Sequence, residues 1–376
     1  MIQQTKLPEG WQEVELGNIL NYEQPTNYIV NSEEYDDKYK TPVLTAGKSF
    51  ILEHTNEKER IYNKLPVIIF DDFTTSIKFV TFPFKVKSSA MKLLTPKIKD
   101  VNLKYIFLLM QTIKVNSVSH KRYYLSKYQH IKIHLPPLAT QKKIVQILER
   151  AEKLKQNRED ADKLTKDFLK SVFMEMFGDK KKFEKVKIGE IILETETENP
   201  ERDYPNKFFE YVDISSIDNK QGRIVNSTKL LGKEAPSRAR QKIKFNDLII
   251  STVRPNLNSV ALVPEELDQQ ICSTGFCILR ANSKKVVPSY LYQIARSSNF
   301  IESMNKIAKG AAYPAVSNKD ILTYEIPLPS IELQNKFALI VKEVESMKEQ
   351  QKHSKEQIDN LFNALMQKAF NGELVK

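Results

Sequence analysis

The chain has 376 residues, of which 41% are hydrophobic and 28% are charged. This composition excludes a disordered chain, and the length exceeds what one hydrophobic core supports, so we expect at least two domains. The formal net charge of +11 and the sequence pI of about 9.2 favour a polyanionic partner.

No apolar run is long enough to span a bilayer, and residues 1–20 lack the apolar centre of a signal peptide. We therefore expect a cytoplasmic protein without a membrane partner. Cys272 and Cys277 are the only cysteines in the sequence. Both lie in one predicted strand, where we interpret them as buried small hydrophobes in a reducing compartment.

The first domain is predicted at residues 1–135 and is mixed α/β. Its β-rich runs are broken by Asp71-Asp72 and by Pro83, as short strands are. An amphipathic helix is predicted in 101–114, and an alternating strand at 128–135 leads out of the domain. The predicted strands in the middle of the domain are 67–70, 77–79 and 82–86.

Residues 136–178 are predicted to form one long helix, because neither Gly nor Pro occurs between Pro137 and Gly178. Apolar residues return at spacings of three and four, which is the period of a helix laid along a partner helix. At 1.5 Å per residue this helix would be roughly 55–60 Å long. Polar residues at Arg158 and Thr165 interrupt the apolar stripe.

The second domain is predicted at residues 179–326, and its opening repeats that of the first. Phe183 stands for Trp11 and Val186 for Val14, and each opening has a glycine at the matching position. The predicted elements are strands at 247–252 and 259–263, a cysteine-containing strand that ends at Leu279, a helix in 288–307 and a strand at 322–326.

Residues 327–376 contain a second long helix whose sequence repeats the first. When Gln141 is aligned with Gln334, the apolar stripes, the polar interruptions and the ends at Phe177 and Phe370 coincide. Chance similarity between charged amphipathic helices is the alternative, but the matched starts and ends favour duplication. We predict an α+β molecule in which these helices form an antiparallel coiled coil with pseudo-two-fold symmetry. The predicted seam residues are Ile147, Ala151, Leu154, Phe168, Val172, Ile340, Val344, Met347, Ile358, Leu361 and Leu365.

The sequence shows no catalytic constellation, so we expect neither an enzyme nor a bound cofactor. Residues 41–49 approach a phosphate-binding loop, but Pro42 stands where that loop needs its first glycine. The tetrapeptide at 199–202 lacks the aromatic residue of the motif that amino-methyltransferases use on their target base. We interpret Asp71 and Asp72 as a solvated turn in preference to a metal site. His130 and His134 are interpreted as surface residues in preference to zinc ligands, so we predict no metal site.

Basic residues are concentrated at 85–132 in the first domain and at 220–254 in the second. They occur beside Ser, Thr, Asn and Tyr, a mixture suited to phosphate and base-edge contacts. A solvated basic face is the alternative, but we favour binding of double-stranded DNA. The candidate DNA-binding residues are Lys87, Lys92, Ser119, Lys121, Arg122, Tyr123, Tyr124, Arg238, Arg240, Lys242, Thr252, Arg254, Asn256, Asn258, Lys309 and Tyr313.

Two proline-led helix starts, LPPLATQKKI and IPLPSIELQNKF, each follow a domain. Further characteristic stretches are VIIFDDFTTSIKFVTFPF in the first domain and DLIISTVRPN and GAAYPAVS in the second. With these stretches the chain resembles, over nearly its whole length, the specificity subunit of type I restriction-modification systems. Thr140 and Leu333 stand where that family usually has an acidic residue before the glutamine.

The resemblance implies two target-recognition domains, each of which reads one half of a split DNA sequence. It implies that the conserved helices set the spacer and dock two methylation subunits, with restriction subunits joining in the full complex. S-adenosylmethionine and ATP would be held by those partner subunits only. The DNA contacts of the family lie in variable domain loops, so our candidate residues depend on charge and loop placement.

Two other classes of function stay open from the residues alone. A coiled-coil scaffold that assembles other proteins without DNA recognition predicts basic residues scattered around the surface. A nuclease with an unrecognised site predicts metal-dependent cleavage by the purified chain. The recognised bases are not specified by the sequence, because readout depends on loop geometry and DNA shape as well as on residue type.

Overall fold

The computed structural model describes residues 7–45, 49–113, 123–179, 182–310 and 313–375. The chain divides into two compact units, Met1–Glu159 with His353–Lys376 and Asp160–Lys352. Each unit contains one mixed α/β domain and one half of each of two long helices. In these ranges, no helix combines the length and the apolar composition that crossing a membrane requires.

The domain of the first unit contains nine strands and three short helices in its described residues. The strands are β1 (Gln12–Glu15), β2 (Leu20–Glu23), β3 (Thr41–Leu44), β4 (Ile51–Thr55), β5 (Val67–Asp71), β6 (Ile77–Val80), β7 (Lys85–Val86), β8 (Met91–Pro96) and β9 (Lys132–Leu135). The helices are α1 (Leu16–Ile19), α2 (Leu103–Thr112) and α3 (Tyr123–Ser126), and the first long helix, α4 (Leu138–Phe177), follows.

A four-stranded antiparallel sheet in the order β2-β8-β5-β6 forms the centre of this domain. All five residues of β5 are buried, because this apolar strand has a neighbour on each side and is covered on both faces. A three-stranded sheet has the order β4-β3-β7, and α2 packs on β5 and β6. The side chain of Asn102 caps α2 by accepting a hydrogen bond from Tyr105 N at 3.1 Å.

The domain of the second unit contains twelve strands and four short helices in its described residues. The strands are β10 (Glu184–Lys187), β11 (Ile192–Leu193), β12 (Phe208–Val212), β13 (Ile217–Asp218), β14 (Arg223–Ile224), β15 (Thr228–Leu231), β16 (Ala239–Lys242), β17 (Leu248–Ser251), β18 (Val260–Leu262), β19 (Ile271–Ser273), β20 (Phe276–Ala281) and β21 (Glu325–Leu328). The helices are α5 (Pro200–Asp203), α6 (Pro288–Ala295), α7 (Ser298–Ile307) and α8 (Asn318–Leu322), and the second long helix is α9 (Ile331–Phe370).

The second domain repeats the topology of the first. Its sheet β11-β20-β17-β18 has the same order and the same antiparallel pairing as β2-β8-β5-β6. Its other main sheet has the order β15-β12-β19-β16 and contains a parallel pair, β12 with β19, that corresponds to β3 with β7. The predicted repeat of the domain openings is confirmed. Val14 of β1 lies opposite Ile133 of β9, and Val186 of β10 lies opposite Ile326 of β21.

Several predicted elements differ from those observed. The cysteine-containing strand is two strands, β19 and β20, separated at Thr274 and Gly275, although both cysteines are buried free thiols as predicted. The predicted helix in 288–307 is divided, because Ser297 ends one helix and its side chain caps the next by accepting from Phe300 N. The sequence analysis also missed β12 to β16.

Both long helices are present, with 40 residues each. In the first unit, Lys155 Nζ of α4 lies 2.7 Å from Asp359 Oδ1 of α9. In the second unit, Gln351 Nε2 of α9 donates to Thr165 Oγ1 of α4 at 2.8 Å. The ring centroids of Phe173 and Phe337 are 5.4 Å apart in the same unit. In the second unit, therefore, the contact residue advances from Thr165 to Phe173 along α4 while it moves back from Gln351 to Phe337 along α9.

The predicted seam is only partly buried. Ala151 and Val344 are buried, and five further seam residues are half-buried: Ile147, Val172, Ile340, Ile358 and Leu365. The remaining four are exposed, contrary to the prediction: Leu154, Phe168, Met347 and Leu361. The buried stripe of α4 passes instead through Leu148 and Leu169. The phase was misjudged because Lys155 lies on this stripe, with its ammonium 5.1 Å from the centre of the Phe362 ring.

Candidate nucleic-acid interface

Two loops of the second domain are joined by backbone hydrogen bonds into one surface. The first loop connects β17 to β18, and the second connects α7 to α8. Arg254 N donates to Pro314 O at 2.7 Å, and Val316 N donates to Thr252 O at 2.9 Å. Segments that are about sixty residues apart in sequence therefore form one patch. We call its exposed polar members, Arg254, Asn256, Lys309 and Tyr313, the Arg254 patch.

The centre of this patch is a stack of Arg254 on Tyr313. The guanidinium carbon lies 4.5 Å from the centre of the Tyr313 ring, and that residue is 68% exposed. Stacking holds the planar guanidinium by its face and leaves its N–H edge directed elsewhere. An arginine held in this way is suited to bidentate contact with the acceptor edge of guanine or with a phosphate.

The backbone of the β17–β18 loop is held in an uncommon conformation. Arg254 has φ 50° and ψ 62°, and Asn258 has φ 53° and ψ 46°, both in the left-handed region. A non-glycine residue there costs about 1–3 kcal/mol and persists only where the surroundings hold it. Ser251 Oγ donates to Val253 O at 2.9 Å, and Thr252 Oγ1 donates to Gly275 O at 2.9 Å. The loop is therefore preorganised.

Two of the predicted contacts in this loop support it instead of facing outward. The hydroxyl proton of Thr252 is used by Gly275, so that side chain has no donor left for DNA. Asn258 is half-buried, and its Oδ1 atom has no hydrogen-bond partner among the described residues. The polar side chains of these two loops that can reach a ligand are those of the Arg254 patch.

Two of the predicted basic contacts, Arg240 and Lys242 of β16, each lie beside a carboxylate of their own domain. Lys242 Nζ lies 2.5 Å from Glu198 Oε1, and Arg240 Nη2 lies 3.8 Å from Glu201 Oε2. The segment 196–198 runs beside β16, and these carboxylates therefore face its cations. Arg238 is exposed and makes no ion pair with the described part of the chain, so it remains a candidate contact.

Three predicted DNA contacts in the first domain are core residues. Lys92 is buried, with Nζ 3.3 Å from Asp72 Oδ2, and it also bonds to the side chain of Gln24. Tyr123 and Tyr124 are buried, and burial raises the pKa of Tyr124 to about 12. The sequence pattern was misleading because a hydrophobic core with one buried ion pair also contains lysine and tyrosine. Such core residues cannot be distinguished from DNA contacts by residue type alone.

The remaining first-domain candidates are Lys87, Ser119, Lys121 and Arg122. Lys87 is partly exposed and donates to Glu33 and to the hydroxyl of Tyr35, and the hydrogen bond that it donates to Glu33 raises the pKa of the Lys87 ammonium. It therefore has partners of its own. Ser119, Lys121 and Arg122 lie outside the described residues.

The predicted turn between β5 and β6 is present, but its two carboxylates are not solvated. Asp71 and Asp72, interpreted as a solvated turn, are buried. Asp71 accepts hydrogen bonds from Phe73 N at 2.9 Å and from the hydroxyl of Thr74 at 2.5 Å. Asp72 Oδ1 accepts from Tyr124 N at 2.9 Å. The two carboxylates thus build the hairpin, which corresponds to β17–β18 of the second domain.

The carboxylates and histidines do not assemble into a metal centre in the ranges that the structure describes. No group of three or more His, Cys, Asp or Glu side chains there is placed to hold an ion. His130 Nδ1 lies 3.5 Å from Glu15 Oε2 on the surface, an ion pair that forms only when the imidazole is protonated.

Comparison with protein families gives one match along most of the chain. The family model described as "Type I restriction modification DNA specificity domain" matches residues 8–163 and again residues 180–360. The two matched segments include the two α/β domains, the first helix start and most of the long helices. The duplication read from the sequence is therefore also a repeat of one family domain.

Curated relatives give the same family, and a solved structure has the same fold. The chain is 31% identical over 356 residues to the "Type I restriction enzyme EcoR124I/EcoR124II specificity subunit" of Escherichia coli, which covers 88% of this chain and 86% of that protein. It is 25% identical over 409 residues to the MjaVIII specificity subunit of Methanocaldococcus jannaschii, with 98% and 94% covered. The crystal structure of a type I restriction-modification S subunit from M. genitalium has the same fold, with a TM-score of 0.59, 14% identity and 98% and 99% of the two chains covered.

Proposed function

The chain belongs to the family of type I restriction-modification DNA specificity subunits, and we propose that each of its domains reads one half of a split duplex target. The protein is the DNA-recognition subunit of such a system and is not itself an enzyme. The scaffold alternative, which has no DNA recognition, is not supported by these relatives.

The observation that carries the proposal for the second domain is the Arg254 patch. An arginine in contact with an aromatic ring, an exposed amide, a lysine and an exposed tyrosine lie together on two loops that backbone hydrogen bonds join. Phosphate contacts would come from Lys309, and base contacts from Arg254 and Asn256, whose side chains offer the donors and acceptors that major-groove edges require. Lys242 and Arg240 lie beside carboxylates, whereas Arg254 and Lys309 make no ion pair within the described residues.

The same topology in the first domain supports a second, independent reader. Its hairpin β5–β6 occupies the position of β17–β18, and its residues differ completely from those of the Arg254 patch. A DNA target whose two halves differ in sequence requires two domains that share a fold but have different loops. Lys121, Arg122 and Ser119 stay candidate contacts for this half.

We further propose that α4 and α9 form an antiparallel coiled coil that sets the spacer between the half-sites and relates the domains by a pseudo-two-fold axis. The Lys155–Asp359 ion pair in the first unit and the Thr165–Gln351 hydrogen bond in the second support this pairing. From the first of these contacts to the second, the residue number rises along α4 and falls along α9, as antiparallel helices require.

Catalysis would belong to partner subunits, as is usual for a chain whose role is recognition. We propose that two methylation subunits dock on this chain, that restriction subunits join them in the full complex, and that S-adenosylmethionine and ATP are bound by these partners only.

Reconstitution tests this proposal. The chain is co-expressed with the methylation subunit encoded beside it, and the mass of the complex and its transfer of labelled methyl groups to DNA are measured. We expect one copy of this chain with two methylation subunits, and methyl transfer only by the complex. Methyl transfer or cleavage by the purified chain alone would contradict the assignment of catalysis to partners.

A further inference from the structure

We propose that Phe73 and Leu257 are wedges that enter the base stack of the half-site read by their own domain. This inference rests on the proposed function and deepens it, because it states how each domain would deform the DNA that it reads. It concerns an apolar contact that neither the basic segments nor the Arg254 patch supplies.

The two residues occupy equivalent places in the duplicated fold. Phe73 lies in the hairpin between β5 and β6, and Leu257 lies in the hairpin between β17 and β18. In each domain this hairpin joins the second-to-last strand of the four-stranded sheet to its edge strand. The flanking sequences are unrelated, yet each hairpin carries one exposed large apolar side chain.

Both side chains are exposed although nothing in their loops requires an apolar residue. Phe73 is 48% exposed and Leu257 is 44% exposed, while the residues around them are polar or charged. Loop tips of soluble proteins are usually polar, and a large apolar residue held in water at an otherwise polar site indicates a contact with a partner. One such residue would carry little weight, but the same feature at the equivalent place in both domains does.

Both hairpins are rigid, which a wedge requires. Asp71 holds the Phe73 turn by accepting from Phe73 N at 2.9 Å and from the Thr74 hydroxyl at 2.5 Å, and Tyr123 N donates to Asp72 O at 3.2 Å. In the second domain, Leu257 N donates to Arg254 O at 2.9 Å, and the left-handed backbone of Arg254 and Asn258 encloses the turn. A flexible tip would be pushed aside by stacked bases, whereas a braced tip can separate them.

Cations lie close enough to bring DNA to each tip. Arg254 is three residues from Leu257 and belongs to the same turn. In the first domain, Lys78 is exposed on β6, next to the hairpin, with its ammonium 5.7 Å from the centre of the Phe50 ring. Phe and Leu are among the apolar side chains that proteins insert between base steps, and the resulting unstacking favours extrusion of a base. A base that is to be methylated inside a duplex has to leave the stack.

The test uses the assembled methyltransferase and its selected DNA target, with 2-aminopurine replacing one base at a time in each half. We expect wild-type protein to raise the fluorescence at one step in each half, because the fluorophore brightens when it is unstacked. Phe73→Ser should abolish the rise in one half only, and Leu257→Ser should abolish it in the other half only. Phe73→Leu should retain most of the signal, because it keeps an apolar wedge.

Matched controls are Ile98→Ser in the first domain and Leu193→Ser in the second, which remove exposed apolar residues away from the hairpins. They should leave both signals unchanged. Unchanged fluorescence in Phe73→Ser and Leu257→Ser would overturn the wedge. A fluorescence loss that depends on the thymine methyl groups of the DNA, and not on base unstacking, would also overturn it. If the protein selects no sequence at all, the proposed function fails; if it selects a sequence without unstacking it, only the wedge fails.

Discussion

Gln141 and Gln334 make the same set of three hydrogen bonds, each within its own unit. Both side chains are fully buried in the first turn of a long helix. The amide nitrogen donates to two backbone carbonyls and the amide oxygen accepts from one backbone N–H. For Gln141 the partners are Asp100 O at 2.9 Å, Pro136 O at 2.8 Å and Asn102 N at 2.8 Å. For Gln334 they are Lys285 O at 3.2 Å, Pro329 O at 2.9 Å and Val287 N at 2.9 Å.

Replacing either glutamine with leucine should destabilise its unit strongly. The substitution leaves three backbone groups buried without partners, and each such group costs about 1–3 kcal/mol. We expect Gln141→Leu to lower the free energy of unfolding by about 3 kcal/mol or more. Urea denaturation measures this, with Gln146→Leu on the exposed side of the same helix as the control. Equal effects of the two substitutions would show that the buried amide is not an anchor.

The same two glutamines show which features of the fold could be predicted from the sequence. Gln141 and Gln334 were the positions that aligned the two halves, and that alignment required no structure because it used identity and spacing alone. What an alignment could not indicate is burial: Lys92, Tyr123 and Tyr124 look like DNA contacts in a basic segment but belong to the core. Ion pairs could not be predicted from the sequence either, because Glu198 is 44 residues from Lys242. The convergence of Arg254 with Tyr313 depended on backbone pairing between distant loops.

Antiparallel pairing of the long helices can be tested with engineered cysteine pairs. Thr165→Cys with Gln351→Cys should form a disulfide on mild oxidation, because these side chains are in hydrogen-bond contact. Thr165→Cys with Ile358→Cys is the control, since these are equivalent positions of the repeat and would meet only in a parallel pair. Gel mobility under non-reducing conditions distinguishes the outcomes. Cross-linking of the second pair in place of the first would contradict the antiparallel arrangement.

Acid should weaken the first unit through Glu57. Burial alone would raise the pKa of this carboxyl, but hydrogen bonds from Lys85 and from the backbone N–H groups of Ser32 and Asn31 lower it below its usual value of 4.5. The folded state therefore holds the proton less tightly than the unfolded state. The stabilisation is present above the unfolded pKa and is lost as the pH falls through the folded pKa.

Glu57→Gln should reduce the loss of unfolding free energy between about pH 6 and about pH 3, because the glutamine does not titrate. Asn56→Ala, at an exposed neighbouring position without a titratable group, serves as the control and should leave the pH dependence as in the wild type. Denaturation curves at a series of pH values measure the slope. If the slope for Glu57→Gln is as steep as that of the wild type, Glu57 does not cause the loss of stability in acid.

The chain alone should bind duplex DNA weakly and in a salt-dependent manner. Charge supplies affinity through counterion release, so the logarithm of the binding constant should fall linearly with the logarithm of salt concentration. Lys309→Ala should reduce that slope by about 1, as loss of one phosphate contact does. Lys242→Ala is the matched control, because its ammonium is already paired with Glu198. Equal changes in slope for both variants would indicate a diffuse basic face instead of a defined patch.

The most direct test of the central claim, that each domain reads its own half-site, is a binding selection. Randomised duplexes are selected with the assembled methyltransferase that contains the wild-type chain, Arg254→Ala or Arg202→Ala. Arg202 is an exposed arginine outside the patch, and its variant serves as the control. Arg254→Ala should relax the preference in one half only, with a loss of about 1–3 kcal/mol of base discrimination. Arg202→Ala should change neither half, and Lys121→Ala should weaken binding to all sequences alike. Relaxation of both halves by Arg254→Ala, or of neither, would contradict the account.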